Sequence, residues 1–185
     1  MMIGERIVVV GNTGSGKTTL AQQLGQRLGL PHTELDALHW EPNWTPAELN
    51  VFLERVLAVA STDKWVMDGN YSKVRHHIWQ RAETLIWLDY PLHVIMWRLF
   101  WRAVRRTTGE ELLWGTNRES WRGQFFSRDS LFIWALKKQW SRRKEYPRLF
   151  AHPEYAHLNV IRLRSPGGAR KLLAGITAVT TESPQ

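Results

Sequence analysis

The chain has 185 residues, of which 43% are hydrophobic and 23% are charged, as in ordinary globular proteins and unlike disordered or fibrous ones. It contains no cysteine, which excludes disulfide frameworks and thiolate zinc sites. The one apolar stretch that approaches membrane length, residues 85–101, is interrupted by Asp89, His93 and Arg98, and no signal-peptide pattern opens the chain. We therefore expect a cytoplasmic protein without a membrane span.

The net charge of +8 is distributed unevenly along the chain. Residues 1–92 carry 8 Lys and Arg against 10 Asp and Glu, whereas residues 93–185 carry 17 against 7. A basic half of this size predicts an anionic partner, which would be either a polyphosphate or a nucleic acid. Charge alone does not distinguish these two partners.

Short β-branched or apolar runs alternate with helical patterns along the chain. The predicted strands are residues 6–10, 32–35, 65–67, 84–88 and 159–163. Helical spacing and capping signals predict helices in the remaining periodic segments. They run from the glycine-rich stretch after the first strand to Gly29, from Pro91 to about Arg106, from about Asp129 to Lys144, and from Ser165 onward.

The segment Thr45-Pro46-Ala47-Glu48 has the pattern of a capping box with proline at the first helical position. It predicts a further helix that begins at this point. The residues that this helix would turn inward are Leu49, Leu53, Val56, Leu57 and Ala60.

Strands that alternate with helices predict an α/β fold with a parallel sheet of about five strands. Right-handed crossovers place the carboxyl ends of parallel strands, and the loops after them, at one edge of the sheet. We expect Gly11, Asp36, Asp68 and Asp89 to be gathered at this edge, although Asp89, just before Tyr90-Pro91, equally suits a capping or structural role.

Residues 11–18 match the phosphate-binding pattern G-x-x-x-x-G-K-[ST] without a mismatch. Its glycines let successive backbone N–H groups point at an anion at the start of a helix. Lys17 is expected to reach the β- and γ-phosphates of ATP, and Thr18 to offer its hydroxyl to Mg²⁺. The predicted nucleotide-binding residues are Gly11, Asn12, Thr13, Gly14, Ser15, Gly16, Lys17, Thr18 and Thr19.

This motif does not by itself name a reaction, because kinases, GTPases, helicases and transport ATPases share it. Four further segments are informative: Leu35–Trp40 with Pro42–Trp44, Asp68–Tyr71, Leu88–Pro91 and Thr116–Ser120. The order of the phosphate-binding loop, the short strand ending in Asp36, the capped helix, Asp68-Gly69 and Leu88–Pro91 resembles that of the adenylate-kinase-like small kinases, and Arg98–Arg102 matches the R-x-x-x-R pattern that enters the lid in those enzymes. More narrowly, the four segments resemble the bacterial DNA topology modulation protein family, which is described as adenylate-kinase-related. The resemblance extends over residues 5–165.

The resemblance implies a P-loop kinase-like three-layer fold in a single domain over residues 1–180. It further implies a small acceptor lobe at about residues 36–62 and an Arg-rich lid at about residues 107–127. Arg98 would lie near the adenine and Arg102 near the phosphates, with Arg118, Arg128 and either Arg142 or Arg143 closing over them. The helix predicted from Pro91 supports this, because Arg98, Arg102, Arg105 and Arg106 fall on one of its faces.

Asp68 follows an apolar strand and precedes Gly69, where the backbone can pass close to a ligand. It is our candidate for the carboxylate that holds Mg²⁺ together with Thr18. The candidate catalytic residues are Lys17, Asp68, Arg102 and Arg118. Asp36 is the acceptor-side candidate, and an aromatic loop beside it could stack on a planar acceptor or simply pack within the lobe. The candidate acceptor-binding residues are Asp36, His39, Trp40, Trp44, Asp68 and Tyr71.

The chain departs from adenylate kinases on the acceptor side. Those enzymes carry a Pro-Arg pair shortly after the Asp-Gly, whereas here Asp68-Gly69 is followed by Asn70-Tyr71-Ser72. ATP binding and phosphoryl transfer carry over from the resemblance, but AMP as the acceptor does not. Arg55, Lys73 or Arg75 could supply the missing positive charge.

The sequence therefore predicts a Mg²⁺-ATP-dependent kinase of a small molecule, with a nucleoside monophosphate or a related metabolite as the acceptor. One alternative is a nucleic-acid-binding protein that ATP regulates, although no helix-turn-helix or zinc-finger pattern is present. The other is a nucleotide switch or slow ATPase without an acceptor.

Overall fold

The computed structural model describes residues 3–108 and 131–176. The strands within these ranges are β1 (Arg6–Gly11), β2 (His32–Glu34), β3 (Trp40–Glu41), β4 (Thr45–Pro46), β5 (Trp65–Asp68), β6 (Thr84–Leu88) and β7 (Asn159–Leu163). The α-helices within them are α1 (Lys17–Leu28), α2 (Leu35–His39), α3 (Leu49–Ala60), α4 (Ser72–Arg81), α5 (Leu92–Thr108), α6 (Leu131–Phe150) and α7 (Pro166–Ala174). Two short 3₁₀ turns lie at Pro42–Trp44 and Pro153–Tyr155.

Five of the strands in the described part of the chain form one parallel sheet in the order β2-β5-β1-β6-β7. The central strand β1 is a run of β-branched residues that is buried from Ile7 onward, as expected for a strand with both faces covered. The predicted α/β fold with a parallel sheet of about five strands is confirmed. Strands β3 and β4 pair separately as a two-residue antiparallel hairpin.

Alternate side chains of β1 face opposite layers of helices. Val8 and Val10 pack in one apolar cluster with residues of α3, α4 and α6, such as Phe52 and Tyr146. Ile7 and Val9 pack on the other side in a cluster with residues of α1, α5 and α7. The period of two along the strand thus produces the predicted three layers, with helices on both faces.

The capping-box prediction is wrong. Thr45 and Pro46 form strand β4, where Pro46 pairs with Trp40, and α3 begins only at Leu49 without a side-chain cap. The predicted inward face of α3 is confirmed at Val56 and Ala60, whereas Leu49 and Leu57 are 45% and 40% exposed. The residues that α3 buries are Phe52, Val56 and Ala60.

Several predicted boundaries shift by a few residues. Strand β5 includes Asp68, and Leu35 begins α2 instead of ending β2. Helix α6 continues six residues past the predicted end at Lys144, through Pro147, to Phe150. The predicted lid lies outside the described residues from position 109 onward. No helix in the described part of the chain is long and apolar enough to cross a membrane.

Candidate active site

The phosphate-binding loop connects the end of β1 to the first residue of α1, Lys17. Gly14 and Gly16 have φ angles of 73° and 84°, in the left-handed region that only glycine adopts readily. A Cβ atom at Gly14 would lie 2.7 Å from Cγ of Leu99, and one at Gly16 would lie 2.9 Å from Nη1 of Arg98. The loop is thus seated closely on α5, and the first N–H groups of α1 are oriented toward an anion at the helix start.

Lys17 lies among opposing charges. Its Nζ donates a hydrogen bond to the carbonyl oxygen of Asn12 at 3.3 Å. Burial lowers the pKa of Lys17, the carboxylates of Asp68 and Asp36 oppose this shift, and the guanidinium groups of Arg142 and Arg102 add to it. The ammonium group is therefore held where it gains from a further negative charge, such as a phosphate.

Asp68 joins the start of α1 to the neighbouring strand β2. Its side chain is 4% exposed, and each carboxylate oxygen has a hydrogen-bond partner. The hydroxyl of Thr18 donates to Oδ2 at 2.9 Å, and Nε2 of His32 lies 2.8 Å from Oδ1. Two contacts of this kind hold a buried carboxylate in one orientation.

Asp36 and Tyr71 form a second polar pair near the site. The hydroxyl of Tyr71 donates to Oδ1 of Asp36 at 2.5 Å. Burial raises the pKa of Tyr71, and the negative charge of Asp36 raises it further, so the phenol remains a donor at neutral pH. The pair joins α2 to the loop between β5 and α4.

His39 belongs to an aromatic cluster beside this pair. Its ring centroid lies 4.7–4.9 Å from those of Trp40, Phe52 and Tyr71, and Trp40 in turn lies 5.6 Å from Trp44. Burial lowers the pKa of His39, and its Nδ1 is buried without a hydrogen-bond partner among the described residues. The cluster forms an aromatic wall next to Asp36.

The loop that carries Trp44 is conformationally unusual. Asn43 and Trp44 have φ angles of 61° and 57°, which are rare for bulky L-residues and are concentrated at functional sites. The β3–β4 hairpin supports this turn, and Arg55 braces it through Glu41 at 2.7 Å and the carbonyl oxygen of Leu38 at 3.0 Å. Arg55 is one candidate for the positive charge that would bind the acceptor. In the structure its guanidinium group contacts Glu41 of the hairpin and the backbone of α2.

The arginines near the loop differ in what they contact. Arg98 donates to the carbonyl oxygen of Ser15 at 2.6 Å and lies over the ring of Tyr90. Arg142 is 8% exposed and donates to Oδ1 of Asn12 at 3.1 Å. Arg102 is close enough to lower the pKa of Lys17. The structure thus places Arg98 and Arg142 against the phosphate-binding loop and Arg102 within electrostatic reach of Lys17.

Two further polar side chains, Asn70 after β5 and Gln139 of α6, also hold the loop, and sequence reasoning did not assign them. The amide group of Asn70 pairs with the backbone of Gly11, accepting from its N–H at 3.1 Å and donating to its carbonyl oxygen. Gln139 of α6 accepts from the side chain of Asn12 at 3.0 Å and donates to the carbonyl oxygen of Tyr90 at 2.9 Å. These contacts join residues 49 or more positions apart, so no local pattern reveals them.

Asp89 does not join the cluster around Lys17. It is 3% exposed; its Oδ1 accepts from Arg143 at 2.6 Å, and its Oδ2 accepts from Arg162 at 2.5 Å. Arg162 also stacks on Trp87 at 4.4 Å. Asp89 therefore links β6 to α6 and β7, which is the structural role considered from the sequence.

Thr18 and Asp68 have the donor chemistry that Mg²⁺ prefers, a hydroxyl and a carboxylate oxygen. The described residues contain no group of three or more His, Cys, Asp and Glu side chains that could hold a metal ion by themselves. Mg²⁺ is commonly bound by one or two protein groups together with substrate phosphates. Of the other predicted site residues, Arg118 lies outside the described ranges.

The fold is similar to that of solved small-molecule kinases. A gluconokinase from Sinorhizobium meliloti 1021 matches with a TM-score of 0.54 and 19% identity, over 95% of this chain and 93% of that chain. A shikimate kinase from Acinetobacter baumannii in complex with shikimate matches with a TM-score of 0.53 and 17% identity, over 92% and 89% of the two chains. A shikimate kinase from Bacteroides thetaiotaomicron matches with a TM-score of 0.53 and 18% identity, over 91% and 94%.

At these identities the similarity establishes a shared fold. No family model matches the chain, and no curated protein is similar to it in sequence. The narrower resemblance to the DNA topology modulation family therefore stays a prediction.

Proposed function

We propose that the chain is a Mg²⁺-ATP-dependent kinase that transfers the γ-phosphoryl group of ATP to a hydroxyl or phosphate oxygen of a small molecule. The observation that carries this proposal is the cluster around Lys17. There the phosphate-binding loop, the Thr18–Asp68 hydrogen bond and the carboxylate of Asp36 meet at one edge of the sheet. Phosphoryl transfer needs positioned cations on one side and a proton acceptor on the other, and this edge supplies both.

In this proposal the loop and Lys17 bind the phosphates of ATP, while Arg102 and Arg142 add positive charge around them. Thr18 and Asp68 are the residues that would hold Mg²⁺. When bound, Mg²⁺ would neutralise charge on the β- and γ-phosphates. Arg98 supports the loop from α5 through the carbonyl oxygen of Ser15.

The transfer breaks one bond to the γ-phosphorus and forms another. The bond between the γ-phosphorus and the oxygen that bridges it to the β-phosphate breaks, and that oxygen leaves with ADP. A bond forms between the γ-phosphorus and the acceptor oxygen, and where that oxygen is a hydroxyl, its proton passes to the carboxylate of Asp36. Tyr71 positions Asp36 through its hydrogen bond. Catalysis then consists mainly of positioning and charge stabilisation.

Two classes of acceptor have support, and the assay must distinguish them. The sequence resemblance supports a nucleoside monophosphate, although the arginine that binds it in adenylate kinases is absent here. The similar folds include a gluconokinase and shikimate kinases, so gluconate and shikimate belong in the same panel.

Nucleic-acid binding is less well supported, because part of the basic C-terminal half is used internally. Arg143 and Arg162 bind Asp89, and Arg142 is buried against the phosphate-binding loop. Arg142 is thereby withdrawn from the surface, and the charges of Arg143 and Arg162, whose side chains are each 38% exposed, are partly neutralised by Asp89. Tight binding of duplex DNA at physiological salt, with a steep salt dependence, would favour this alternative instead.

The test is to incubate the purified protein with Mg²⁺-ATP and a panel of nucleoside monophosphates, nucleosides and hydroxy acids while following ADP. The Lys17→Ala protein serves as the control, with its fold checked by circular dichroism. ADP formation that depends on an acceptor and disappears in the variant supports the kinase. ADP formed equally without an acceptor would indicate an ATPase or switch.

A further inference from the structure

A cavity of about 280 Å³ lies beside the phosphate-binding loop, between α4 and α6. Its floor is apolar and includes Val8 and Val10 of β1. Residues 69–72, between β5 and α4, form one wall, and Arg142 and Tyr146 of α6 form part of the other. The cavity is adjacent to the loop because Asn70 and Arg142 both line it and both contact the loop at Gly11 or Asn12.

The volume argues for a small ligand. Pockets for drug-sized molecules have volumes of about 300–1,000 Å³, so this cavity lies just below the lower end of that range. A hydroxy acid or a monosaccharide derivative fits well within this volume, whereas a nucleoside monophosphate would have to fill nearly all of it. The aromatic ring of Trp79, which lines the cavity and is buried against Tyr146, limits expansion on the floor side.

The charge of the lining argues for an anion. Three cationic residues, Arg75, Lys138 and Arg142, line the cavity together with one carboxylate, Glu145. Glu145 is paired with Arg75 at 2.8 Å and also acts on Arg142, so three cations against one carboxylate give these four lining side chains a net formal charge of +2. Lys138 is exposed at the rim, whereas Arg142 is close enough to Lys17 to lower its pKa.

The remaining lining groups suit a molecule with hydroxyls. Ser72 and Ser141 contribute hydroxyl groups, and the oxygen of Tyr71 can still accept from a ligand while its proton is donated to Asp36. Hydrogen-bonding groups of this kind discriminate strongly between a ligand that satisfies them and one that does not. Tyr71 also donates to Asp36, so the proposed proton acceptor is in contact with a residue of the lining.

We propose that this cavity is the acceptor site and that it selects a small alcohol with a carboxylate or phosphate group over neutral sugars and nucleoside monophosphates. The inference rests on the proposed kinase function and names its substrate class. The anionic group is bound at Lys138 and Arg142, and the transfer is the one written above, with the acceptor hydroxyl losing its proton to Asp36. Lys138 is thereby a specificity-determining residue.

The test compares matched acceptors that differ in one group: gluconate with glucose, and glycerol 3-phosphate with glycerol, with AMP and CMP alongside. The expected result is a kcat/KM at least about tenfold higher for an anionic member than for its neutral counterpart, and higher than for either nucleotide. The gluconate and glycerol 3-phosphate arms distinguish the carboxylate from the phosphate. A preference for a neutral sugar or for AMP would overturn the proposal.

Two variants and one matched control test whether the preference for an anionic acceptor arises in the cavity. Lys138→Gln should raise KM for the anionic acceptor about tenfold without changing the dissociation constant of ATP, whereas Lys144→Gln, an exposed lysine of α6 outside the lining, should change neither. Ser141→Phe should obstruct the cavity and abolish acceptor phosphorylation while ATP still binds. Equal behaviour of the Lys138 and Lys144 variants would overturn the assignment.

Direct binding separates this proposal from the kinase function itself. Thermal stabilisation of the wild-type protein by gluconate or glycerol 3-phosphate, without ATP and reduced in Lys138→Gln, supports the cavity even if no acceptor yields ADP. If the anion binds but no ADP forms, the cavity proposal stands and only the proposed phosphoryl transfer is contradicted. Absence of both stabilisation and phosphorylation with these anions would defeat the cavity proposal.

Discussion

The hydroxyl of Thr18 donates a 2.9 Å hydrogen bond to the carboxylate of Asp68, joining the first turn of α1 to the end of β5. The hydroxyl proton is thereby directed at the carboxylate, and the oxygen lone pairs of Thr18 remain available to a cation. His32 contacts the other carboxylate oxygen at 2.8 Å. The orientation of Asp68 thus depends on a residue that the sequence motif does not include.

We expect His32→Leu to lower kcat about 10–100-fold, the usual effect of removing a group that orients a metal-site residue. His32→Gln retains an N–H donor on a side chain of similar reach and should recover most of the activity. Steady-state kinetics over a range of Mg²⁺ concentrations measure the effect. An equal loss in both variants, or an unchanged Mg²⁺ requirement in His32→Leu, would indicate that His32 only fills space.

Lys17→Met should abolish turnover and raise the thermal stability of the nucleotide-free protein. Burial lowers the pKa of Lys17, which means that its surroundings disfavour the charged form that is present at neutral pH. Each kcal/mol gained corresponds to about 2–4 °C in a chain of this size. Differential scanning calorimetry with and without Mg²⁺-ATP measures both the rise in Tm and the loss of stabilisation by ATP. A lower Tm in the variant would contradict this account.

Tyr71→Phe should lower kcat/KM for the acceptor about tenfold, because it removes a hydrogen bond to an ionised carboxylate. The KM for ATP should stay unchanged, since the hydroxyl of Tyr71 is directed at Asp36, which lies on the acceptor side in this proposal. Kinetics with each substrate varied separately measure the two effects. A loss confined to ATP would show that the Asp36–Tyr71 pair is not on the acceptor side.

His39 should make folding stability depend on pH. Burial lowers its pKa in the folded state, with Asp36 opposing the shift and Lys73 adding to it, so the unfolded chain binds the proton more tightly. Stability is therefore complete above the unfolded pKa of about 6.5 and is lost as the pH falls through it toward the folded value. The difference in Tm between wild type and His39→Phe, followed from about pH 8 to pH 5, should shift in favour of the variant on acidification. A difference that is constant across this range would refute it.

Asp89→Ala should destabilise the fold without a specific effect on catalysis. It leaves Arg143 and Arg162 without their buried partner, and we expect a loss of about 2–3 kcal/mol in the free energy of unfolding. Urea unfolding measures the loss, and kinetics at low temperature measure the remaining activity of the folded protein. A large drop in kcat with unchanged stability would instead place Asp89 in the reaction.

Local patterns were sufficient to predict the sheet and the phosphate-binding loop. The β-branched run of β1 and the contiguous motif at Gly11–Thr18 carry their information within a few residues. The start of α3 was predicted wrongly because the capping signal at Thr45–Pro46 competes with pairing of Pro46 to Trp40 in a hairpin. The contact between His32 and Asp68 could not be predicted, because it depends on the pairing of two strands that are distant in sequence.

The phosphate-binding loop is held by side chains from three directions: Asn70 after β5, Arg98 of α5, and Gln139 and Arg142 of α6. A loop restrained in this way has little backbone entropy left to lose when a nucleotide binds. Nucleotide association should therefore carry only a small conformational-entropy penalty at the loop. Weakening one restraint, as in Asn70→Ala, would then appear first as a less favourable binding entropy.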